Sequence, residues 1–201
     1  MNQQLDVYLI RHTKPLVESG TCYGQLDCDV AEGYVEQLSI IKDYLHDKKI
    51  TAIYSSPLRR CSLLAEDLAR DYISNPVIYQ EGLKEIDFGE WEGIQWNVIP
   101  RDKIDEWNTN RLNFQFPNGE TPLKFHHRVL KTWSDNIALP SCSDEPKVIL
   151  VVAHAGVIRS ILCHCLHIPF QHSTQLNIDY GGISLLKVHS HGVDCRMING
   201  A

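Results

Sequence analysis

Three stretches of the sequence end an apolar run on basic or nucleophilic side chains: "VYLIRHTKP" at 7 to 15, "YSSPLRRC" at 54 to 61 and "VILVVAHAGVIR" at 148 to 159. The first delivers Arg11 and His12, the second Arg59 and Arg60, the third His154. Neutral imidazole is a good nucleophile near pH 7, and a guanidinium fork pairs with phosphate oxygens bidentately while staying charged. Taken singly, each junction reads as well as a strand running out into a solvated loop. Three together do not, because open α/β sheets bind ligands in the crevice beyond the carboxyl ends of their strands. Ala155 and Gly156, small residues after His154, would let an anion approach the free amides of a helix N-terminus, where the dipole favours negative charge. Arginines in a first helical turn oppose that dipole, so Arg59 and Arg60, after a Pro57 suited to the first helical position, point to an anionic partner.

Other phosphate chemistries find no purchase. There is no Gly-x4-Gly-Lys loop, and none of the seven cysteines has an arginine six residues later, as a thiolate phosphatase loop needs. "DCD" at 27 to 29 follows a turn-like segment rather than a buried strand, which argues against a metal-bound aspartyl nucleophile. Histidine remains. "CHCLH" at 163 to 167 would put Cys163 and His167 on one helix face at metal-ligand spacing, but it continues the apolar stretch "AGVIRSILCHCL" and no second ligand pair stands nearby.

The elements that must position these residues alternate between strand and helix. Strands are expected at 6–12, 51–56, 76–79, 147–154, 182–191 and 193–198, and helices at about 31–48, 58–72, 101–108, 121–137 and 155–167. Such alternation implies an α/β fold with a mainly parallel sheet, helices on both faces and an antiparallel hairpin at one edge, turning near Gly192. The chain reads as a single domain, 1–201, with a cap-like insertion at about 81–120 that holds three of the four tryptophans.

Net charge is −6, from 19 basic and 25 acidic residues without a long like-charged run, which argues against nucleic acid or an anionic membrane as partner. The N-terminus lacks a signal-peptide pattern and the longest apolar run, "VILVVA", is too short to span a bilayer, so a soluble, cytoplasmic protein is expected. Seven scattered cysteines in a chain of this size are expected to be reduced thiols. The sequence leaves the oligomeric state open, a homodimer included.

"LIRHT" at 9 to 13, "YSSPLRRC" at 54 to 61, "LKEIDFGEWEG" at 83 to 93, "PNGET" at 117 to 121 and "VVAHAGVIR" at 151 to 159 together resemble the histidine phosphatase superfamily, in its phosphoglycerate mutase-like branch. The order of the motifs is also the family's. Thr13 and Lys14 depart from the usual Arg-His-Gly-Glu opening; with "CYGQLD" at 22 to 27, that departure is similar to the α-ribazole phosphatases of cobalamin nucleotide-loop synthesis. The resemblance implies a three-layer α/β/α fold, no cofactor, no catalytic metal and a small-molecule phosphomonoester as substrate.

By motif position it implies that His12 is phosphorylated, that Arg11, Arg60 and His154 hold the phosphoryl oxygens, and that Glu85 is the proton donor. Arg59 falls on a variable position. Thr13, Tyr23 and Gly24 are further candidates for substrate contact, and Tyr23, Trp91, Trp96 and Trp107 could stack on a benzimidazole. A phosphomonoesterase is the leading expectation. The alternatives are a phosphoglycerate mutase, disfavoured by the lack of net positive charge in the cap, a broad-specificity phosphatase, or a phosphate-binding module without turnover.

Overall fold

The computed structural model describes residues 4–138 and 147–200. Strands β1 (Gln4–Arg11), β2 (Ile50–Ser55), β3 (Ile78–Tyr79) and β4 (Lys147–Ala153) pair in parallel, while β5 (Ile183–His189) runs antiparallel to β1 and forms a hairpin with β6 (Gly192–Gly200). The order across the sheet is β3-β2-β4-β1-β5-β6. The uninterrupted apolar runs of β1 and β4 belong to its centre: Val7, Leu9, Ile10, Leu150, Val151 and Val152 are all fully buried. A strand covered on both faces needs no polar alternation.

Two cores follow from the pleat. Val7, Leu9, Ile149 and Val151 face helices α4 (Pro122–Thr132) and α5 (Ala155–Cys165), which supply Phe125, Val129, Val157, Ile158 and Ile161. Tyr8, Ile10, Leu150 and Val152 face α1 (Tyr34–Leu45) and α2 (Arg59–Tyr72), which supply Ile41, Leu45, Leu64 and Leu68. The result is the three-layer α/β/α fold expected, with its antiparallel edge.

Element ends differ from expectation for local reasons. Helix α1 starts at Tyr34 because Gly33 before it holds φ at +86°, and α2 starts at Arg59, leaving Pro57 outside the helix. Strand β3 is only two residues long, pairing with Tyr54 and Ser55; Pro76 lacks the N–H to extend the ladder. Helix α4 passes into a π-helical turn, Trp133–Ile137. Helix α5 ends at Cys165 and His167 is left-handed at φ +56°, so Cys163, packed in the core, and the exposed His167 share no helix face. Among the described residues no group of three or more His, Cys, Asp or Glu could hold a metal ion, and Cys22, Cys28, Cys61, Cys163, Cys165 and Cys195 are free thiols. Cys142 lies outside the described residues.

Residues 81–120, including α3 (Arg101–Thr109), carry a cluster of their own built on Trp91, Ile99, Phe114 and Phe116, joined by Cys22 from the loop after β1. Trp96 stacks on Trp107 with ring centres 5.8 Å apart. No helix among the described residues is long and apolar enough to cross a membrane.

Candidate active site

Register brings the three junctions together. Arg11 pairs with Ala153 and Ser55 with Val152, so β1, β2 and β4 end at one level. The next residue of each strand, His12, Ser56 or His154, therefore emerges into the same crevice. His12 N donates to Ala153 O at 3.0 Å and Ser56 N to Val152 O at 3.0 Å, extending the ladders by one rung.

His12 and His154 lie with ring centres 5.1 Å apart, both buried. His12 Nδ1 is 2.7 Å from Thr13 O. A carbonyl oxygen can only accept, so the imidazole proton sits on Nδ1 and the lone pair on Nε2, which accepts from Arg60 Nε at 3.3 Å. His154 Nε2 hydrogen-bonds the Ser56 hydroxyl at 2.8 Å. Burial, reinforced by the Arg60 guanidinium, holds both imidazoles well below the usual histidine pKa, so both are neutral at pH 7.

Arg60 is fully buried, donating from Nη1 to Leu26 O at 2.9 Å and from Nη2 to Gly24 O at 2.7 Å. The loop that supplies these carbonyls folds tightly: Gly24 has φ +30° and a Cβ there would come 2.5 Å from Ile86 O. Glycine is needed at that approach. The same loop caps α2, since Asp27 Oδ1 accepts from Arg59 N at 2.6 Å, and Arg59 pairs with Asp29 at 3.1 Å in solvent. The two adjacent arginines thus separate: Arg59 finds its anion on the protein's own surface, and Arg60 turns into the crevice. Arg11 donates from Nη1 to Ile178 O at 2.6 Å and leaves Nε buried with no partner among the described residues, as is Thr13 Oγ1.

Glu85 closes the crevice. Its Oε1 accepts from Ile86 N and its Oε2 from Gly156 N, each at 3.0 Å. A Cβ at position 156 would overlap Oε1, so the small residue after His154 serves the approach of this carboxylate. The α5 amide expected to be free for an incoming anion is thus already taken by Glu85. Beyond Gly156 lies a cavity of about 180 Å³ walled by Ile86, Phe88, Trp107, Phe125 and Phe170, with Arg111 and Arg159 the cations on its lining. Trp91 is buried in the cap cluster and Trp96 packs against Trp107, so of the three cap tryptophans only Trp107 lines this cavity.

The structure brings the expected His12, Arg11, Arg60, His154 and Glu85 together at one crevice. Thr13 and Gly24 contribute backbone carbonyls to His12 and Arg60, and Tyr23 stands with its ring 5.2 Å from the Arg60 guanidinium. Arg159 joins them, and its one sequence signal is that it lies three residues after Gly156 and so on the same helix face. Its Nε donates to Leu176 O at 2.7 Å, and burial lowers its pKa against the opposing pull of Glu85. Tyr180 carried no signal, because nothing local predicts that its loop returns to β1.

The model of the histidine phosphatase superfamily, branch 1, matches residues 7–200. The chain belongs to this superfamily and is a phosphatase-family enzyme. Among curated relatives, "Putative phosphoserine phosphatase 2" of Hydrogenobacter thermophilus is 29% identical over 197 residues, covering 96% of this chain and 93% of the relative. Among solved structures, the α-ribazole phosphatase of Shigella flexneri aligns with a TM-score of 0.83 at 23% identity, covering 97% of this chain and 96% of that one. A phosphoserine phosphatase of Entamoeba histolytica in complex with 3-phosphoglyceric acid aligns at 0.80 with 22% identity and 98% of each chain covered. At these identities the structural matches establish the fold.

Proposed function

We propose that the protein hydrolyses phosphomonoesters through a phosphohistidine at His12, with α-ribazole 5′-phosphate as its substrate. The observation that carries the chemistry is the tautomer of His12: Nδ1–H is committed to Thr13 O, leaving the Nε2 lone pair facing Arg60 in a buried, cationic crevice. The phosphoryl group takes over the Arg60 Nε donor and the unpartnered Nε of Arg11, with His154 as a third contact. Nε2 attacks phosphorus as the ester P–O bond breaks. The Thr13 carbonyl then stabilises the positive ring that forms, and fixed cations stabilise the transferring phosphoryl.

Glu85 delivers the proton that the leaving alkoxide needs, then takes one from the water that attacks the phosphohistidine. Each of its carboxylate oxygens accepts one backbone N–H and keeps a lone pair for a proton in transit. The leaving alcohol lies towards the cavity beyond Gly156, where Phe88, Trp107, Phe125 and Phe170 offer apolar rings to a benzimidazole. The free thiols of six cysteines suit a reducing cytoplasm.

A second reading, phosphoserine as substrate, draws on Arg111 and Arg159, which could pair with a carboxylate, and on the 29% identical relative. Against it, no Asp or Glu among the described residues lines the cavity to meet an ammonium group. The test is kcat/KM over a panel of α-ribazole 5′-phosphate, phosphoserine, sugar phosphates and 3-phosphoglycerate. The first should rank highest, and His12→Ala should abolish turnover. Phosphoserine ranking first would replace the substrate, a flat profile would indicate a broad enzyme, and conversion of 3-phosphoglycerate to 2-phosphoglycerate faster than phosphate release would defeat the hydrolase reading.

A further inference from the structure

Tyr180 has no place in the chemistry above, yet it touches two of its members. Its ring lies 3.6 Å from the Arg11 guanidinium carbon, and its centre is 5.7 Å from that of His12. Its hydroxyl is 2.9 Å from that of Tyr23, whose ring in turn faces Arg60 at 5.2 Å. Each arginine of the crevice is thus faced by a tyrosine, and the two tyrosines are joined.

The segment carrying Tyr180 is fastened to β1 at the catalytic end. Gly181 N donates to His12 O at 3.2 Å and Arg11 N donates to Gly182 O at 3.1 Å, while Ile178, whose carbonyl takes Arg11 Nη1, is buried in the core. Tyr180 itself is 36% exposed, so core packing does not account for its place. An arginine at a crevice mouth would otherwise share its time among several rotamers. Here one nitrogen is tied to a carbonyl and one face is covered by a ring, which leaves the buried Nε as the group without a partner.

We propose that Tyr180 is a positioning residue that holds Arg11 aimed at the phosphoryl site through its ring, and that its hydrogen bond to Tyr23 links the two arginine-bearing walls of the crevice. This rests on the reading that Arg11 binds phosphoryl oxygens. It names a residue outside every motif by which that reading was reached.

The test uses inorganic phosphate as the probe, measured by titration calorimetry, alongside single-turnover labelling of His12 by p-nitrophenyl phosphate. Tyr180→Leu removes the ring and should weaken phosphate binding by about tenfold, the scale of a partly desolvated cation–π contact, and slow labelling similarly. Tyr180→Phe keeps the ring and should restore binding to within about threefold of the parent, with Tyr23→Phe matching it because both remove the same hydrogen bond. In an Arg11→Ala background, Tyr180→Leu should cost less than about twofold, because two residues that act through one contact are not additive.

The proposal is overturned if Tyr180→Leu binds phosphate like the parent, if Tyr180→Phe is as weak as Tyr180→Leu, or if the full loss persists without Arg11. If the parent binds phosphate but never labels at His12, the phosphohistidine reading fails, and the phosphate series still decides the role of Tyr180.

Discussion

Glu85→Gln is the perturbation that separates proton delivery from positioning. The carboxylate receives two backbone N–H groups, Ile86 N on Oε1 and Gly156 N on Oε2, each at 3.0 Å. A glutamine keeps one acceptor oxygen and turns an NH2 donor towards the other N–H, so one of the two hydrogen bonds is lost. An unmet donor costs roughly 1–3 kcal/mol when buried, and the lower end applies at this half-buried site. That is the positional part of the change, and it should appear with every substrate. Loss of the acid should cost about 10²- to 10⁴-fold, or ~3–5 kcal/mol of barrier, but only where the leaving group needs a proton.

The alkoxide of a sugar 5′-carbon needs one, and p-nitrophenolate leaves unaided. Phosphorylation of His12 should therefore be followed under single-turnover conditions with α-ribazole 5′-phosphate and with p-nitrophenyl phosphate. Steady-state rates would mix in the second step, where on the proposed mechanism Glu85 also activates water. The expected result is a loss of about 10²- to 10⁴-fold with the first substrate and less than about tenfold with the second. Equal losses would refute the acid assignment and leave Glu85 as a residue that only shapes the crevice.

Four further outcomes follow from the site. Gly156→Ala places a methyl against Glu85 Oε1 and should imitate Glu85→Gln, slowing phosphorylation by α-ribazole 5′-phosphate more than by p-nitrophenyl phosphate; equal rates for parent and variant would show that the carboxylate moves aside at no cost. His12 is held below the histidine reference of 6.5 by burial and by Arg60, so its ring should remain neutral as the pH falls through 6.5, a point that histidine-selective NMR reads directly. The linked stability has a definite sign: unfolded histidine takes up a proton below 6.5 and buried His12 and His154 do not, so the melting temperature should fall on acidification from 6.5, and a flat profile would contradict it. Trp107→Ala opens one wall of the apolar cavity and should raise KM for α-ribazole 5′-phosphate while leaving phosphoserine within about twofold, and parallel changes would place neither substrate's alcohol there.

How much of this the sequence disclosed depends on which residues carried long-range information. The buried runs of β1 and β4 were legible because a strand covered on both faces is apolar throughout, and Arg11, His12 and His154 were legible as the polar groups that end them. Their meeting was a matter of register, and parallel pairing of Arg11 with Ala153 supplies it. Glu85 was found by motif alone; nothing local says that its carboxylate returns to the first turn of α5. Tyr180 and Arg159 lie on segments brought to the crevice by the closing strands and by helix packing, and no window of sequence contains those contacts.

Arg59 and Arg60 separate on the pattern of α2 alone. Two arginines opening a helix point to an external anion, yet only one of them turns inwards. Helix α2 buries Arg60, Cys61, Leu64, Ala65 and Leu68, the spacing of a single helical face. Arg60 is thus in phase with Leu64 and Leu68, one and two turns further on, and Arg59 is in phase with nothing apolar at 62, 63 or 66 except Leu63, which is itself only half-buried. A charge that shares the core-facing stripe of its helix must be met inside the protein, here by Gly24 O, Leu26 O and His12 Nε2. The periodicity of α2 therefore already distinguishes the arginine that faces the crevice from the one that faces water, independently of any family motif.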